Sequence, residues 1–103
     1  MSNLYDSEDI KKLATVGAGA PESWKTFLAF DKVALADGAI PKKYKELMAL
    51  AVGLTTQCTY CLAIHKDAAA KAGATPEEIS ETIFIAAALR AGAAVTHGTH
   101  LVG

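Results

Sequence analysis

Apolar side chains recur every three to four residues along most of the chain, which is the spacing of amphipathic helices. One such stripe runs through residues 21–36, and Asp31, its one charged member, is assigned no role. No stretch alternates between apolar and polar residues as a strand does, and the one Asp-Gly pair, Asp37-Gly38, lies between helical patterns. The pattern therefore predicts an all-α fold.

Proline, glycine and capping residues divide this pattern into about five helices. We expect Ser7 to cap a short first helix that ends near Val16, before a break at Gly17, Gly19 and Pro21. The second helix then spans about residues 21–36. The third opens at Pro41, and the fourth begins near Cys58 and ends at Gly73, a residue type that often stops helices.

The fifth helix begins at the clearest local signal of the chain, the sequence Thr75-Pro76-Glu77-Glu78, which is typical of a capping box. It runs to about Val95 and is apolar on nearly all sides from residue 82 onward. Such a helix must be covered on more than one face. We therefore expect a homo-oligomer in which this helix and the tail after it contact another subunit. The alternative is a central helix in a monomeric bundle.

Length and composition narrow the class of protein. The chain of 103 residues has the length of one domain, residues 1–103, and its 51% hydrophobic content against 20% charged residues argues against disorder. The net charge of −1 provides no basic face, so we expect no nucleic-acid partner. The first six residues do not resemble a secretion signal. We expect a cytoplasmic protein.

The longest uncharged run, residues 47–64, has the length of a membrane span. Its middle, however, carries polar residues at positions 55–59. We therefore interpret the run as two helices with a polar junction and expect no membrane association.

Cys58 and Cys61 are the centre of the candidate chemistry. If Cys58 starts a helix, the two cysteines lie on one face with Cα atoms about 5 Å apart, which a disulfide accepts. A thiol is mostly protonated at neutral pH, but the positive end of a helix stabilises the reactive thiolate. In a cytoplasmic protein this spacing indicates redox or metal chemistry more than a permanent crosslink.

His65 and Glu46 are the candidate proton carriers. His65 lies one helical turn after Cys61, where an imidazole can take and return the thiol proton; the alternative is a hydrogen-bonded core histidine. Glu46 is the last charge before the uncharged run, and its helical neighbours are apolar, with Gly53 leaving space beside it. Burial favours the neutral form of a carboxyl group and makes it a usable proton acceptor or donor. A solvated glutamate is the alternative.

Glu46, eleven further residues and then Cys58-x-x-Cys61-x-x-x-His65 resembles the pattern of the AhpD-like alkylhydroperoxidases within the carboxymuconolactone decarboxylase family. The resemblance covers about residues 21–95. It implies an AhpD-like helical bundle that assembles into trimers or hexamers and needs no bound cofactor. It also implies a peroxide substrate, with Cys61 as the attacking thiolate, Cys58 as the resolving thiol, and Glu46 with His65 as a proton relay. A dithiol, such as a lipoyl group on a partner protein, would restore the pair.

Tyr60 departs from that pattern. Well-known peroxidase members carry a histidine immediately before the second cysteine, whereas a phenol can donate a hydrogen bond but is a poor base at neutral pH. Tyr60 is therefore a secondary candidate for the catalytic site. Its presence in place of a histidine affects the rate of peroxide reduction and the substrate that we expect. Decarboxylase members of the family generally lack the cysteine pair, which argues against lactone decarboxylation.

Three further residues and two other functions stay open. Arg90, the only arginine, pairs with a carboxylate across a subunit contact or with Glu46, or its stem is buried among apolar neighbours and its head reaches water. His97 and His100 belong to a polar tail, bind a metal together, or approach the cysteine site of a neighbouring subunit. The alternatives to a peroxidase are a general thiol–disulfide oxidoreductase or redox sensor, and a metal-binding module in which Cys58, Cys61 and His65 are ligands.

Overall fold

A computed structural model describes residues 7–103, and this part of the chain contains five α-helices and two short 3₁₀ helices. The helices are α1 (Leu13–Gly19), α2 (Pro21–Leu35), α3 (Lys42–Thr56), α4 (Thr59–Lys71) and α5 (Pro76–His97), with 3₁₀ helices at Ser7–Lys12 and Gly98–Leu101. The described residues include no strand, so the predicted all-α fold is confirmed. They form two compact units, one that ends at Lys42 and one that spans Lys43–Gly103.

The prediction for the first helix is wrong at both ends. Residues Ser7–Lys12 form a 3₁₀ helix, and α1 begins only at Leu13, without a side-chain cap. In a 3₁₀ helix positions i and i+3 lie one above the other. That spacing suits two ion pairs in this segment, Lys11 with Glu8 and Lys12 with Asp9.

Gly17 lies inside α1 rather than at its end. A Cβ atom at Gly17 would lie 2.4 Å from Cδ1 of Trp24, so the glycine allows the indole to pack directly on the α1 backbone. The break between α1 and α2 falls at Ala20, before Pro21 opens α2 as predicted. The ring centroids of Trp24 and Phe27, both on α2, are 5.8 Å apart in a stacked arrangement. The contact of Trp24 with Gly17 therefore joins α1 to α2.

The second unit packs α3, α4 and α5 around a small aliphatic core. Its buried members are Leu47 and Leu50 on α3 and Ala69 on α4. Gly73 adopts a φ of 95°, a left-handed conformation that glycine reaches without steric cost, and α4 ends two residues before it. Because α3 ends at Thr56 and α4 begins at Thr59, the uncharged run at residues 47–64 belongs to two helices with a polar junction, as predicted.

The capping box at the start of α5 is confirmed. Oγ1 of Thr75 accepts a hydrogen bond from the Glu78 amide at 3.1 Å, and Oε1 of Glu78 accepts one from the Thr75 amide at 2.9 Å. Oε2 of Glu78 also pairs with Nζ of Lys43 on α3 at 2.9 Å. The Thr75 amide, followed by Lys43, holds the pKa of Glu78 below its usual value, and the hydrogen bond to Glu78 raises the pKa of Lys43.

Most of α5 is uncovered in the single chain. The side chains of Phe84, Leu89 and Val95 are 74%, 65% and 77% exposed. By length and composition alone, the segment Pro76–Leu101 is long and apolar enough to cross a membrane, with a mean hydropathy of 1.4. The core helices of water-soluble proteins pass the same test, so this segment carries no conclusion about a membrane.

Candidate active site

The two cysteines lie at the junction of α3 and α4. Gln57 reverses the chain in a left-handed conformation, with a φ of 57°, and Cys58 follows as the N-cap of α4. The amide of Cys58 donates to the carbonyl oxygen of Gly53 at 2.9 Å. Sγ of Cys58 accepts a hydrogen bond from the Cys61 amide at 3.2 Å, so the sulfur occupies the positive end of α4.

Cys58 and Cys61 form a disulfide with an S–S distance of 2.11 Å. Their Cα atoms are 5.2 Å apart, which confirms the separation of about 5 Å that helical geometry predicts. Since this separation lies within the ordinary range for disulfides, the backbone as it stands accommodates the oxidised pair.

Glu46 on α3 and His65 on α4 form a hydrogen-bonded pair. Oε2 of Glu46 lies 2.7 Å from Nδ1 of His65, and the two side chains are 3% and 19% exposed. The expectation that Glu46 turns into the apolar interior is therefore correct, and its solvated alternative is wrong. A carboxylate that accepts the Nδ1 proton leaves Nε2 of the same imidazole available to exchange a proton.

Gly53 has a different neighbour from the one that the sequence suggests. A Cβ atom at Gly53 would lie 3.2 Å from Cδ2 of Leu62 and 3.5 Å from Cβ of Cys61. The expected space beside Glu46 is thus the place where α4 packs closely on α3. Sequence reasoning missed this role, although the position of Gly53 two turns after Glu46 on the same helical face was a signal for it.

Arg90 binds a backbone oxygen. Its Nη1 donates to the carbonyl oxygen of Thr55, in the last turn of α3, although the residue itself is exposed. Within residues 7–103 the partner of Arg90 is this carbonyl, so the alternative of a pair with Glu46 is wrong, and a pair with a carboxylate of another subunit stays a prediction. The guanidinium fork reaches the end of a helix, where carbonyl groups lack partners.

Tyr60 lies in α4, whereas His97 and His100 lie near the end of the chain. Tyr60 is half-buried in the first turn of α4, between the cysteines. His97 and His100 stack edge to face at the end of α5, with ring centroids 5.1 Å apart. Among the residues that the structure describes, no three histidine, cysteine, aspartate or glutamate side chains converge as a metal site would require.

An apolar groove of about 190 Å³ lies in the unit Lys43–Gly103. Helices α3, α4 and α5 supply its lining residues, which are Leu50, Leu54, Leu62, Lys66, Ile79, Thr82 and Ile83. The hydroxyl of Thr82 already donates to the carbonyl of Glu78 at 2.8 Å. Leu62 adjoins Cys61 in the chain and also packs on Gly53, so it belongs to both the groove and the surroundings of the cysteine pair.

Known sequences place this chain in one family. The model of the carboxymuconolactone decarboxylase family matches residues 21–102. Uncharacterised protein 4 in the cox locus of Paracoccus denitrificans is 51% identical over 71 residues, 69% of this chain and 64% of that protein. An uncharacterised protein of Cupriavidus necator is 29% identical over 75 residues, 73% of this chain and 66% of that protein. The matched part thus spans slightly less than two thirds of each relative.

Solved structures share the fold. A carboxymuconolactone decarboxylase family protein from Legionella pneumophila, crystallised in its apo form, is 33% identical, with a TM-score of 0.76 and coverage of 90% of this chain and 84% of that one. A protein from Methanobacterium thermoautotrophicum is 26% identical, with a TM-score of 0.79 and coverage of 85% and 96%. Because the family match at residues 21–102 includes the acidic residue, the cysteine pair and the histidine, the chain belongs to the carboxymuconolactone decarboxylase family.

Proposed function

We propose that this protein is an AhpD-like, thiol-dependent peroxidase that reduces peroxides through Cys58 and Cys61, with Glu46 and His65 as the proton relay. The observation that carries the proposal is the partly buried hydrogen bond of 2.7 Å between Glu46 and His65, with His65 one helical turn after a cysteine pair at disulfide distance. A disulfide that served only as a crosslink would need no such carboxyl–imidazole pair.

The reaction begins from the reduced pair. His65 takes the proton of the Cys61 thiol, and Glu46 stabilises the imidazolium that forms. The thiolate attacks one peroxide oxygen, so an S–O bond forms while the O–O bond breaks. The departing alkoxide takes the proton from His65 and leaves as an alcohol, and Cys61 becomes a sulfenic acid.

Cys58 then resolves the sulfenic acid. Its thiolate attacks the sulfur of Cys61, the S–O bond breaks, and the departing hydroxide takes a proton to leave as water. The product is the disulfide between the two cysteines. An external dithiol reduces it by thiol–disulfide exchange and becomes a disulfide itself. We propose a small dithiol, including a lipoyl group on a partner protein, because both sulfurs lie in one helical turn.

The apolar groove favours organic hydroperoxides over hydrogen peroxide. Its lining offers hydrocarbon surface, and the Thr82 hydroxyl is already bound to a backbone oxygen. Its volume is that of roughly six water-sized groups. An alkyl or aryl substituent that leaves water for this groove gains free energy that hydrogen peroxide cannot gain.

We also propose that the protein is a cytoplasmic homo-oligomer, a trimer or a hexamer, in which α5 contacts a neighbouring subunit. The exposed Phe84, Leu89 and Val95 support this assembly, because an apolar helix that its own chain leaves uncovered is expected to be covered by another surface.

The experiment is a single-turnover measurement on pre-reduced protein. Addition of an organic hydroperoxide should consume two thiols per chain and form one alcohol, and Cys61→Ser should abolish this reaction. Cys58→Ser should instead retain the first step and accumulate a sulfenic acid that a cyclic diketone reagent traps. Thiol loss at the same rate in Cys61→Ser would exclude the proposed mechanism.

A general thiol–disulfide oxidoreductase is the second candidate, and Tyr60 favours it. Tyr60 provides no additional imidazole beside Cys61, and peroxide cleavage depends on proton delivery more than disulfide exchange does. Reduced protein that reduces insulin disulfides quickly and organic hydroperoxides no faster than free dithiothreitol would support this candidate. The opposite ranking would support the peroxidase.

A further inference from the structure

Several different groups satisfy the carbonyl oxygens at the end of α3. The amide of Cys58 donates to the Gly53 oxygen at 2.9 Å, and the hydroxyl of Thr56 lies 3.5 Å from the same oxygen. Nη1 of Arg90 donates to the Thr55 oxygen. The last four carbonyl groups of a helix lack partners within that helix. These bonds therefore let α3 stop at the point where the cysteine pair begins.

Two helix ends of opposite charge meet at this turn. α3 ends at Thr56 and α4 begins at Thr59, with only Gln57 and Cys58 between them. The start of α4 carries about half a positive charge and the end of α3 about half a negative one. The positive start of α4 favours a thiolate on the cysteine pair, and the negative end of α3 opposes it.

Arg90 is suited to change that balance. It is the only lysine or arginine within α5, and its helical neighbours three and four residues away are alanines, which offer no side-chain acceptor. A guanidinium stays charged at every physiological pH and binds a carbonyl while keeping its other donors. A positive charge is therefore present at the negative end of α3 at every physiological pH.

We propose that Arg90 is a positioning residue of the redox pair, which holds the last turn of α3 and offsets its negative end, so that the reduced pair carries more thiolate. The meaning of this role for turnover rests on the proposed function. Its physical consequence, a shift in the thiol–disulfide equilibrium, does not depend on any peroxide. Because a stabilised thiolate favours the reduced form, Arg90 makes the disulfide more oxidising.

The test compares Arg90→Gln and Arg90→Lys with the control Lys71→Gln. Lys71 ends α4, about 20 Å along the helix from Cys58, which exceeds the screening length at physiological salt. Arg90→Gln should move the equilibrium with glutathione about two- to fivefold toward the disulfide and lower thiolate absorbance at neutral pH by a similar factor. Arg90→Lys should move both by less, because it keeps the charge and loses the fork.

Several outcomes overturn the inference. One is a glutathione equilibrium in Arg90→Gln that differs from the wild type by no more than that of Lys71→Gln. Another is an equal shift in Arg90→Gln and Arg90→Lys together with unchanged thiolate absorbance, which would indicate a packing role alone. If Arg90→Gln does not fold, Arg90→Met takes its place as the variant without the charge, and a shift no larger than that of Lys71→Gln counts against the inference.

The same measurements separate this inference from the proposed function. Wild-type protein that lacks peroxide turnover, while Arg90→Gln still shifts the glutathione equilibrium, would overturn the function and support the role of Arg90. Wild-type protein with full turnover and no such shift in Arg90→Gln would support the function and overturn the role of Arg90.

Discussion

Oε2 of Glu46 lies 2.7 Å from Nδ1 of His65, although the two residues are 19 positions apart and belong to consecutive helices. The carboxyl group is almost fully enclosed, whereas the imidazole is partly open. This arrangement orients the ring, because the nitrogen bound to Glu46 cannot also face a substrate. Nε2 is therefore the nitrogen that the proposed relay would use.

Glu46→Gln should therefore slow the reaction of reduced protein with peroxide. The amide has the shape of the carboxyl group but not its charge, so it stabilises the imidazolium less. We expect the rate constant to fall about 100-fold or more, within the usual contribution of acid–base catalysis. Stopped-flow measurement of thiol oxidation gives this rate. Glu81→Gln, on the exposed surface of α5, is the matched control, and equal rates in both variants would contradict the relay.

Gly53→Val should destabilise the fold and disturb the cysteine pair. Even a single Cβ would lie 3.2 Å from Leu62 and 3.5 Å from Cys61, so two further methyl groups cannot fit without moving α4. We expect a loss of about 1–3 kcal/mol in the free energy of unfolding, measured with urea. Gly53→Ala should lose less, because its better helix propensity offsets part of the strain by up to about 1 kcal/mol. Equal stability of the valine variant and the wild type would contradict this close approach.

The sequence predicted those parts of the site that depend on local spacing. The 5.2 Å Cα separation of the cysteines follows from helix geometry, and the Thr75 capping box follows from local chemistry. The position of Arg90 against the α3 carbonyl could not be predicted, because it depends on how α5 crosses α3. Gly17 shows the same limit, since only the packing of Trp24 explains why a glycine stays within α1.

Ile83→Ser should weaken the use of organic hydroperoxides selectively. Ile83 lines the apolar groove, and its truncation to a hydroxyl removes hydrocarbon contact with an alkyl or aryl group. We expect the KM for cumene hydroperoxide to rise about three- to tenfold, since part of the side chain is already exposed. The KM for hydrogen peroxide should not change. Ile85→Ser, on the same helix but outside the groove, is the control, and equal changes in both variants would show that the groove does not bind substrate.

Glu78→Gln should lower stability in a pH-dependent way. The backbone amide of Thr75 and the ammonium group of Lys43 hold the pKa of Glu78 below its ordinary value of 4.5. The contribution of the charged form is therefore fully present above pH 4.5 and disappears as the pH falls through the lower pKa of the folded state. The melting temperatures of variant and wild type should differ most near pH 7 and converge in acid. Glu77→Gln is the control, and a Glu78→Gln difference that grows in acid would reverse the assigned sign.

Leu89→Asp should dissociate the proposed oligomer. In an isolated chain Leu89 is 65% exposed, so a substitution there would change the free energy of unfolding by only about 0.5 kcal/mol. In a subunit interface the same aspartate would bury an unpaired charge against apolar surface, which costs far more. We expect light scattering to give a trimer or hexamer for the wild type and a smaller species for Leu89→Asp. Lys71→Asp, on exposed α4, should keep the wild-type mass.

The same measurement on oxidised and reduced wild-type protein distinguishes a catalyst from a redox sensor that acts through its assembly. The disulfide closes within the first turn of α4, whereas the exposed apolar side chains that we propose at the interface lie on α5. We therefore expect the same mass in both states. A mass that changes with oxidation would favour the sensor, because the state of two adjacent sulfurs would then control contacts made by a different helix. A monomeric wild type in both states would instead mean that α5 stays uncovered in solution, against the proposed assembly.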